Sequence, residues 1–147
     1  KGLKEIRDQY DFIIIDCPPA VNLLTINSLT ASDSVIIPMQ CEYYALEGIS
    51  QLMQTIKLIK DKTNKALSLE GILFTMYDSR TNLSRQVIEE VEKHFSKYIY
   101  KTRISRSVRL SEAPSYGVSC ITYAPTSKST DQYMDFAKEV LERNKIK

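Results

Sequence analysis

Phe12-Ile13-Ile14-Ile15-Asp16-Cys17-Pro18-Pro19 runs an unbroken apolar stretch into one carboxylate and then two prolines. Phe12 to Ile15 lack the polar alternation of a half-exposed strand, so the stretch reads as a parallel strand buried on both faces. Proline lacks the N–H that a ladder needs, and the strand is expected to stop at Pro18 and Pro19. Such a strand delivers Asp16 to the C-terminal edge of the sheet, where open α/β sheets bind their ligands.

Working outward, apolar strands alternate with amphipathic helices and no linker or low-complexity segment intervenes. Leu3, Ile6 and Tyr10 stand at helical spacing before the Asp16 strand. After it come a short helix over Leu23–Ala31, a strand over Ser34–Pro38 stopped by its proline, and a helix over Glu42–Ile59. A strand over Gly71–Met76, a helix over Asn82–Phe95, a short strand over Ile99–Ile104 and a closing helix over Thr130–Glu142 complete the pass. Strands separated by helices imply an α/β fold with a parallel, doubly wound sheet.

Composition sets bounds on chemistry. At 147 residues, 43% hydrophobic and 26% charged, the chain has the makeup of one globular domain or most of one. No apolar run approaches membrane-spanning length and no signal peptide opens the sequence, so a cytoplasmic protein without a membrane partner is expected. Cys17, Cys41 and Cys120 lack disulfide or zinc-ligand spacing and read as small buried thiols. The one histidine, His94, lies beside the apolar stripe of a helix with no nucleophile spaced to meet it. Glu89, Glu90 and Glu92 read as a solvated helix face.

Charge is unevenly spread. The net charge is +2, yet from Arg80 to Arg109 eight basic residues face three acids, an excess of +5. A local excess within a nearly neutral chain is the pattern of a basic patch able to hold a phosphate backbone.

Several blocks carry a family likeness. Asp16-Cys17-Pro18-Pro19, Leu24 to Asp33, Ile37 to Gly48, Arg80-Thr81-Asn82-Leu83 and Val108 to Gly117 closely resemble, in order, the C-terminal portion of the ParA/Soj chromosome-partitioning ATPases of the ParA/MinD group. The resemblance runs from about Tyr10 to the last helix. It implies a P-loop NTPase-like fold whose N-terminal part is missing, with residues 1–147 as the C-terminal part of a single domain. The sequence contains no G-x-x-x-x-G-K-[ST]; Gly2, Gly48, Gly71 and Gly117 are isolated and none precedes a lysine.

The resemblance also implies roles. Asp16 corresponds to the Walker B acid, catalytic and holding Mg²⁺ through water, and Cys17 to Leu24, including Pro18, to the switch that senses the γ-phosphate. Glu42 aligns with the residue that reaches the ribose across a nucleotide-sandwich homodimer. Ser105 and Arg106 occupy the segment beside the adenine, where Ser105 replaces the family's proline. Arg80 and Arg109 align with the two arginines used for sequence-independent DNA binding. Tyr123-Ala124-Pro125 departs from relatives that carry an acid between tyrosine and proline. The implied function is an ATPase with ATP and Mg²⁺ as cofactors, nucleoid DNA and a ParB-type protein as partners, and a nucleoid-associated location. A non-catalytic DNA- or partner-binding module is the alternative; a MinD-like membrane role is disfavoured because the tail's apolar positions are needed for packing. An unpaired sheet edge beside Phe12–Ile15 is expected to promote self-association without nucleotide.

Overall fold

A computed structural model describes residues 3–18 and 22–145. Its centre is a parallel sheet of β1 (Ser34–Gln40), β2 (Ser68–Tyr77) and β3 (Ile99–Ser105), in that spatial order. Helix α1 (Leu23–Ala31) precedes the sheet. The crossovers are α2 (Ala45–Lys62) and α3 (Asn82–Phe95), and the chain continues through α4 (Val108–Glu112), α5 (Cys120–Tyr123) and α6 (Lys128–Arg143).

Alternation along the strands sends side chains into two separate cores. On one face Ile37, Met39, Ile72 and Phe74 pack with Ile49, Ile56 and Ile59 of α2 and Val87, Ile88 and Val91 of α3. On the other, Leu73, Tyr100 and Ile104 pack with Leu110, Phe136 and Val140. Successive strands joined by crossovers of one hand put α2 and α3 on the same side, and α6 covers the opposite one. The sheet is therefore doubly wound, as expected. Side-chain caps set several helix starts: Asn22 accepts from the N–H groups of Leu24 and Thr25 at 3.0 and 3.1 Å, Thr81 from Ser84 at 3.3 Å and Ser127 from Thr130 at 3.3 Å.

Three expectations are corrected. Phe12–Ile15 is extended but forms no ladder, and Ile14 is 90% exposed. A strand is buried only where neighbours pair its edges and cover both its faces, and among the described residues no strand pairs with this segment while Ile14 stays uncovered. Pro38 does not end β1, which continues to Gln40 with Pro38 opposite Leu73. Among the described residues β1 pairs with β2 alone, and a residue without an N–H is tolerated on its other edge. Helical spacing of Leu3, Ile6 and Tyr10 yields a turn and a 3-10 helix over Arg7–Gln9, tied to the domain by Arg7, which donates to both Asp33 oxygens at 2.7 and 2.9 Å. Pro19 and the switch residues 20 and 21 lie outside the described residues.

Helix α6 does more than cover a face. Its side chains bond the outer edge of β3: Glu139 accepts from the backbone N–H groups of Lys101 and Thr102 at 2.8 and 3.1 Å, and Gln132 accepts from that of Ser105 at 3.0 Å. Arg143 donates to the carbonyls of Ile99 at 2.7 Å and Tyr98 at 3.3 Å. Burial pushes the Glu139 carboxyl up, but the two N–H donors and Arg143 outweigh it and hold the group below its ordinary range.

Beneath α6 the Tyr100 ring is fully buried, edge-on to Phe136 at 4.9 Å and under the Arg143 guanidinium at 3.8 Å. It lies over Gly71 so closely that a Cβ there would come within 2.2 Å of Cε2. Gly71→Ala is expected to destabilise the fold by about 1–3 kcal/mol through overpacking. Urea titration followed by circular dichroism measures it, and an unchanged midpoint would mean that the ring yields.

Cys41 follows β1 directly and is buried; burial pushes its thiol up from 9.0 to about 11, against the opposing pull of Arg103. The folded state thus favours the neutral thiol, and this contribution to stability is complete below pH 9 and fades between 9 and 11. In native protein at pH 8, Cys41 should resist a disulfide reagent while the half-buried Cys17 and Cys120 react; three thiols titrating together would contradict that.

Candidate functional site

Parallel strands point their C-terminal ends the same way, and Glu42, Arg80, Ser105, Arg106 and Arg109 lie at or after those ends. Gln40, the last residue of β1, leads through Cys41 to Glu42, which is exposed and turns the chain into α2 by accepting the Ala45 N–H at 3.0 Å. β2 runs into Asp78 and Arg80. β3 ends at Ser105 and passes to Arg106, with Arg109 in α4. The Arg106 N–H bonds the Tyr77 carbonyl at 3.3 Å, which stitches the loops after β2 and β3 together. Just before it, Met76 adopts a left-handed φ of 53°, unusual for a side chain of its size, where the β2–β3 register shifts.

Asp16 has a different setting. It is exposed and makes no hydrogen bond or ion pair among the described residues, so no ladder or side chain links it to Glu42, Arg80 or Arg106. Its neighbour Pro18 is fastened through its carbonyl, which accepts the Thr25 hydroxyl of α1 at 3.4 Å. Ser105 is engaged at both polar groups: Gln132 takes its N–H and donates to its Oγ at 2.9 Å. That leaves Arg106, an exposed cation close enough to lower the Asp78 carboxyl, as the more available of the two. No group of three or more histidine, cysteine or acidic side chains could hold a metal ion among the described residues.

The two arginines that align with the family's DNA-binding positions, Arg80 and Arg109, are paired. Arg80, 87% exposed, donates to both oxygens of Asp78 at 2.9 and 2.7 Å, and this hydrogen bonding holds the Asp78 carboxyl well below the usual range. Arg109 donates to Glu112 at 2.9 Å, and Glu112 also accepts the Tyr123 hydroxyl at 3.2 Å. Arg109 and Tyr123 border an open groove of about 490 Å³ completed by Ala124, Pro125, Thr126 and Ser127. Tyr116 stacks on Tyr123 at 5.0 Å.

Sequence reasoning passed over Asp78 and Glu112. Both stand just outside the interval from Arg80 to Arg109, and including them reduces its excess from +5 to +3. Their spacing, two residues before one arginine and three after the other, was the available signal.

The sequence profile of the AAA domain family matches residues 1–69. The sporulation initiation inhibitor protein Soj of Bacillus subtilis (strain 168) is 59% identical over 140 residues, covering 95% of this chain and 55% of that protein. The chromosome partitioning protein ParA of Myxococcus xanthus (strain DK1622) is 50% identical over 143 residues, covering 97% of this chain and 50% of that protein. Among solved structures, cobyrinic acid a,c-diamide synthase from Mycobacterium smegmatis with bound ATP analogue and magnesium matches with a TM-score of 0.80 at 36% identity, over 97% of this chain and 52% of that one. The chain spans about half the length of the curated relatives it matches. Identity this high, sustained over nearly all of its residues and joined to the same doubly wound architecture, means that the chain belongs to the ParA/Soj family.

Proposed function

We propose that residues 1–147 are the C-terminal part of a ParA/Soj-type ATPase domain that dimerises on ATP, binds nucleoid DNA without sequence preference and drives chromosome or plasmid partitioning, with a ParB-type protein stimulating hydrolysis. The observation that carries this reading is the 59% identity to Soj over 140 residues. It is supported by the gathering of Glu42, Arg80, Ser105, Arg106 and Arg109 at or beyond the C-terminal strand ends.

In this reading Asp16 is the catalytic-site acid. An exposed carboxylate without a protein partner among the described residues fits an outer-sphere contact to Mg²⁺. Asp16 would hold the metal through water, and the chemistry such an ion would supply there is neutralisation of the charge of phosphoryl transfer. Pro18 fixes the start of the switch through its bond from Thr25, Glu42 reaches a ribose hydroxyl across the dimer, and Arg106, with Ser105 behind it, borders the adenine. Residues 1–147 hold no glycine-rich loop, so the N–H cradle and lysines for the triphosphate come from sequence outside them.

A direct consequence is that the 147 residues by themselves should bind no ATP by calorimetry and release no phosphate. Tight binding by them would refute the division of labour. In the full-length protein Asp16→Ala should abolish turnover, and near-normal hydrolysis would remove Asp16 from the site.

DNA binding makes a separate claim. Arg80→Glu and Arg109→Glu should each weaken binding to unrelated duplexes by similar factors, with wild-type affinity falling steeply as salt rises, since phosphate contacts release counterions and carry no base information. ATP-driven dimerisation should persist in both variants. Gel-shift titrations giving unchanged affinity in both, or strong preference for one sequence, would defeat the nucleoid-binding assignment.

A further inference from the structure

Each arginine assigned to DNA is already held by a carboxylate with the shape of its intended ligand. Asp78 faces the Arg80 guanidinium with two oxygens, in the fork geometry that a phosphodiester's two free oxygens would also satisfy. Glu112 takes a terminal nitrogen of Arg109. Both arginines are open to solvent, Arg80 at 87% and Arg109 at 57%, and their acids lie at the surface at 31% and 37%, so exchange of one oxyanion for another needs no opening of the core.

We propose that Asp78 and Glu112 are built-in competitors that stand where DNA phosphates would sit on Arg80 and Arg109 and so hold non-specific DNA affinity below what the two arginines alone would give. This inference rests on the DNA-binding reading above. Local structure keeps both competitors in reach of their targets. Asp78 Oδ1 also accepts the Arg80 backbone N–H at 3.0 Å, and the Asp78 carbonyl accepts the Thr81 N–H at 3.2 Å, so the turn into α3 fixes the acid against its arginine. Glu112 lies three residues beyond Arg109 on α4 and is steadied by the Tyr123 hydroxyl at 3.2 Å. The Arg80 hydrogen bonds keep the Asp78 carboxyl ionised well below its usual titration range, so phosphate must displace this competitor in its charged form.

Displacement has a readable cost. Every intramolecular carboxylate that must leave cancels part of the charge an arginine offers to DNA, which lowers both affinity and the number of counterions released on binding. A protein that must detach and rebind along a nucleoid is served by contacts that are individually weak and exchangeable. An Arg80 or Arg109 without its acid would hold DNA longer.

Asp78→Asn and Glu112→Gln delete the charge while retaining an acceptor oxygen for the Arg80 N–H and the Tyr123 hydroxyl. Asp135→Asn, on the exposed Asp135–Lys138 pair of α6, makes the same change in net charge elsewhere. With the full-length protein and several unrelated duplexes, anisotropy titrations across a salt series should show the first two variants binding about three- to tenfold tighter than wild type, with log K against log salt steeper by about one. Asp135→Asn should match wild type. Equal gains in all three variants would reduce the effect to net charge and overturn the competitor role. So would unchanged or weaker binding by Asp78→Asn and Glu112→Gln while Arg80→Glu and Arg109→Glu still lose affinity, an outcome that leaves the DNA reading intact. Indifference to all four substitutions at Asp78, Arg80, Arg109 and Glu112 would remove both.

Discussion

The close approach of Tyr100 to Gly71 is the constraint on which the second face of the sheet depends. Only a residue without a Cβ lets the ring lie against β2, and the ring in turn offers its edge to Phe136 and its face to Arg143. From that seat Arg143 reaches the Tyr98, Ile99 and Glu70 carbonyls, which fixes the end of α6 against the beginning of β3. Glu139 and Gln132, one and three turns earlier, then fall opposite the free N–H groups of the edge strand. Buried apolar area, a cation over a ring and saturated backbone donors here reinforce one another; loss of the glycine would disturb all three.

Much of this architecture was legible in the sequence because it is written locally. Helices α1 and α3 occupy the expected bounds, Leu23–Ala31 and Asn82–Phe95, and the doubly wound class follows from alternating apolar strands and amphipathic helices. What was misread required knowledge of neighbours. Phe12–Ile15 has the composition of a buried strand, but burial is a property of partners, and among the described residues no strand pairs with it. Pro38 carries a stop signal that applies to a central strand and not to the edge of β1 away from β2. On the closing helix Phe136 and Val140 pack into the second core while Leu141, next along the chain, remains 38% exposed, so the face buried against the sheet is narrow.

The candidate site was read with the same unevenness. The strand-end rule pointed to Asp16 alone, because it concerns only where a strand stops, whereas Glu42, Arg80 and Arg106 came from the family resemblance. Partner choice was invisible. A count of charges between Arg80 and Arg109 treats each cation as free, whereas Asp78 and Glu112 neutralise two of them from just beyond the interval. Ser105, which the resemblance places beside the adenine, has both its N–H and its hydroxyl committed to Gln132, 27 residues away.

The side chains that close the edge of β3 lie 27 to 45 residues downstream of the atoms they bond. On a ribosome that elongates at about 5–20 residues per second, the strand therefore emerges seconds before its cover. For that interval its bare N–H groups depend on water alone, and a neighbouring nascent chain on the same messenger is the nearest alternative partner. The order of synthesis thus turns a thermodynamically sealed edge into a brief kinetic opening, one that ends only when α6 has left the exit tunnel and folded down.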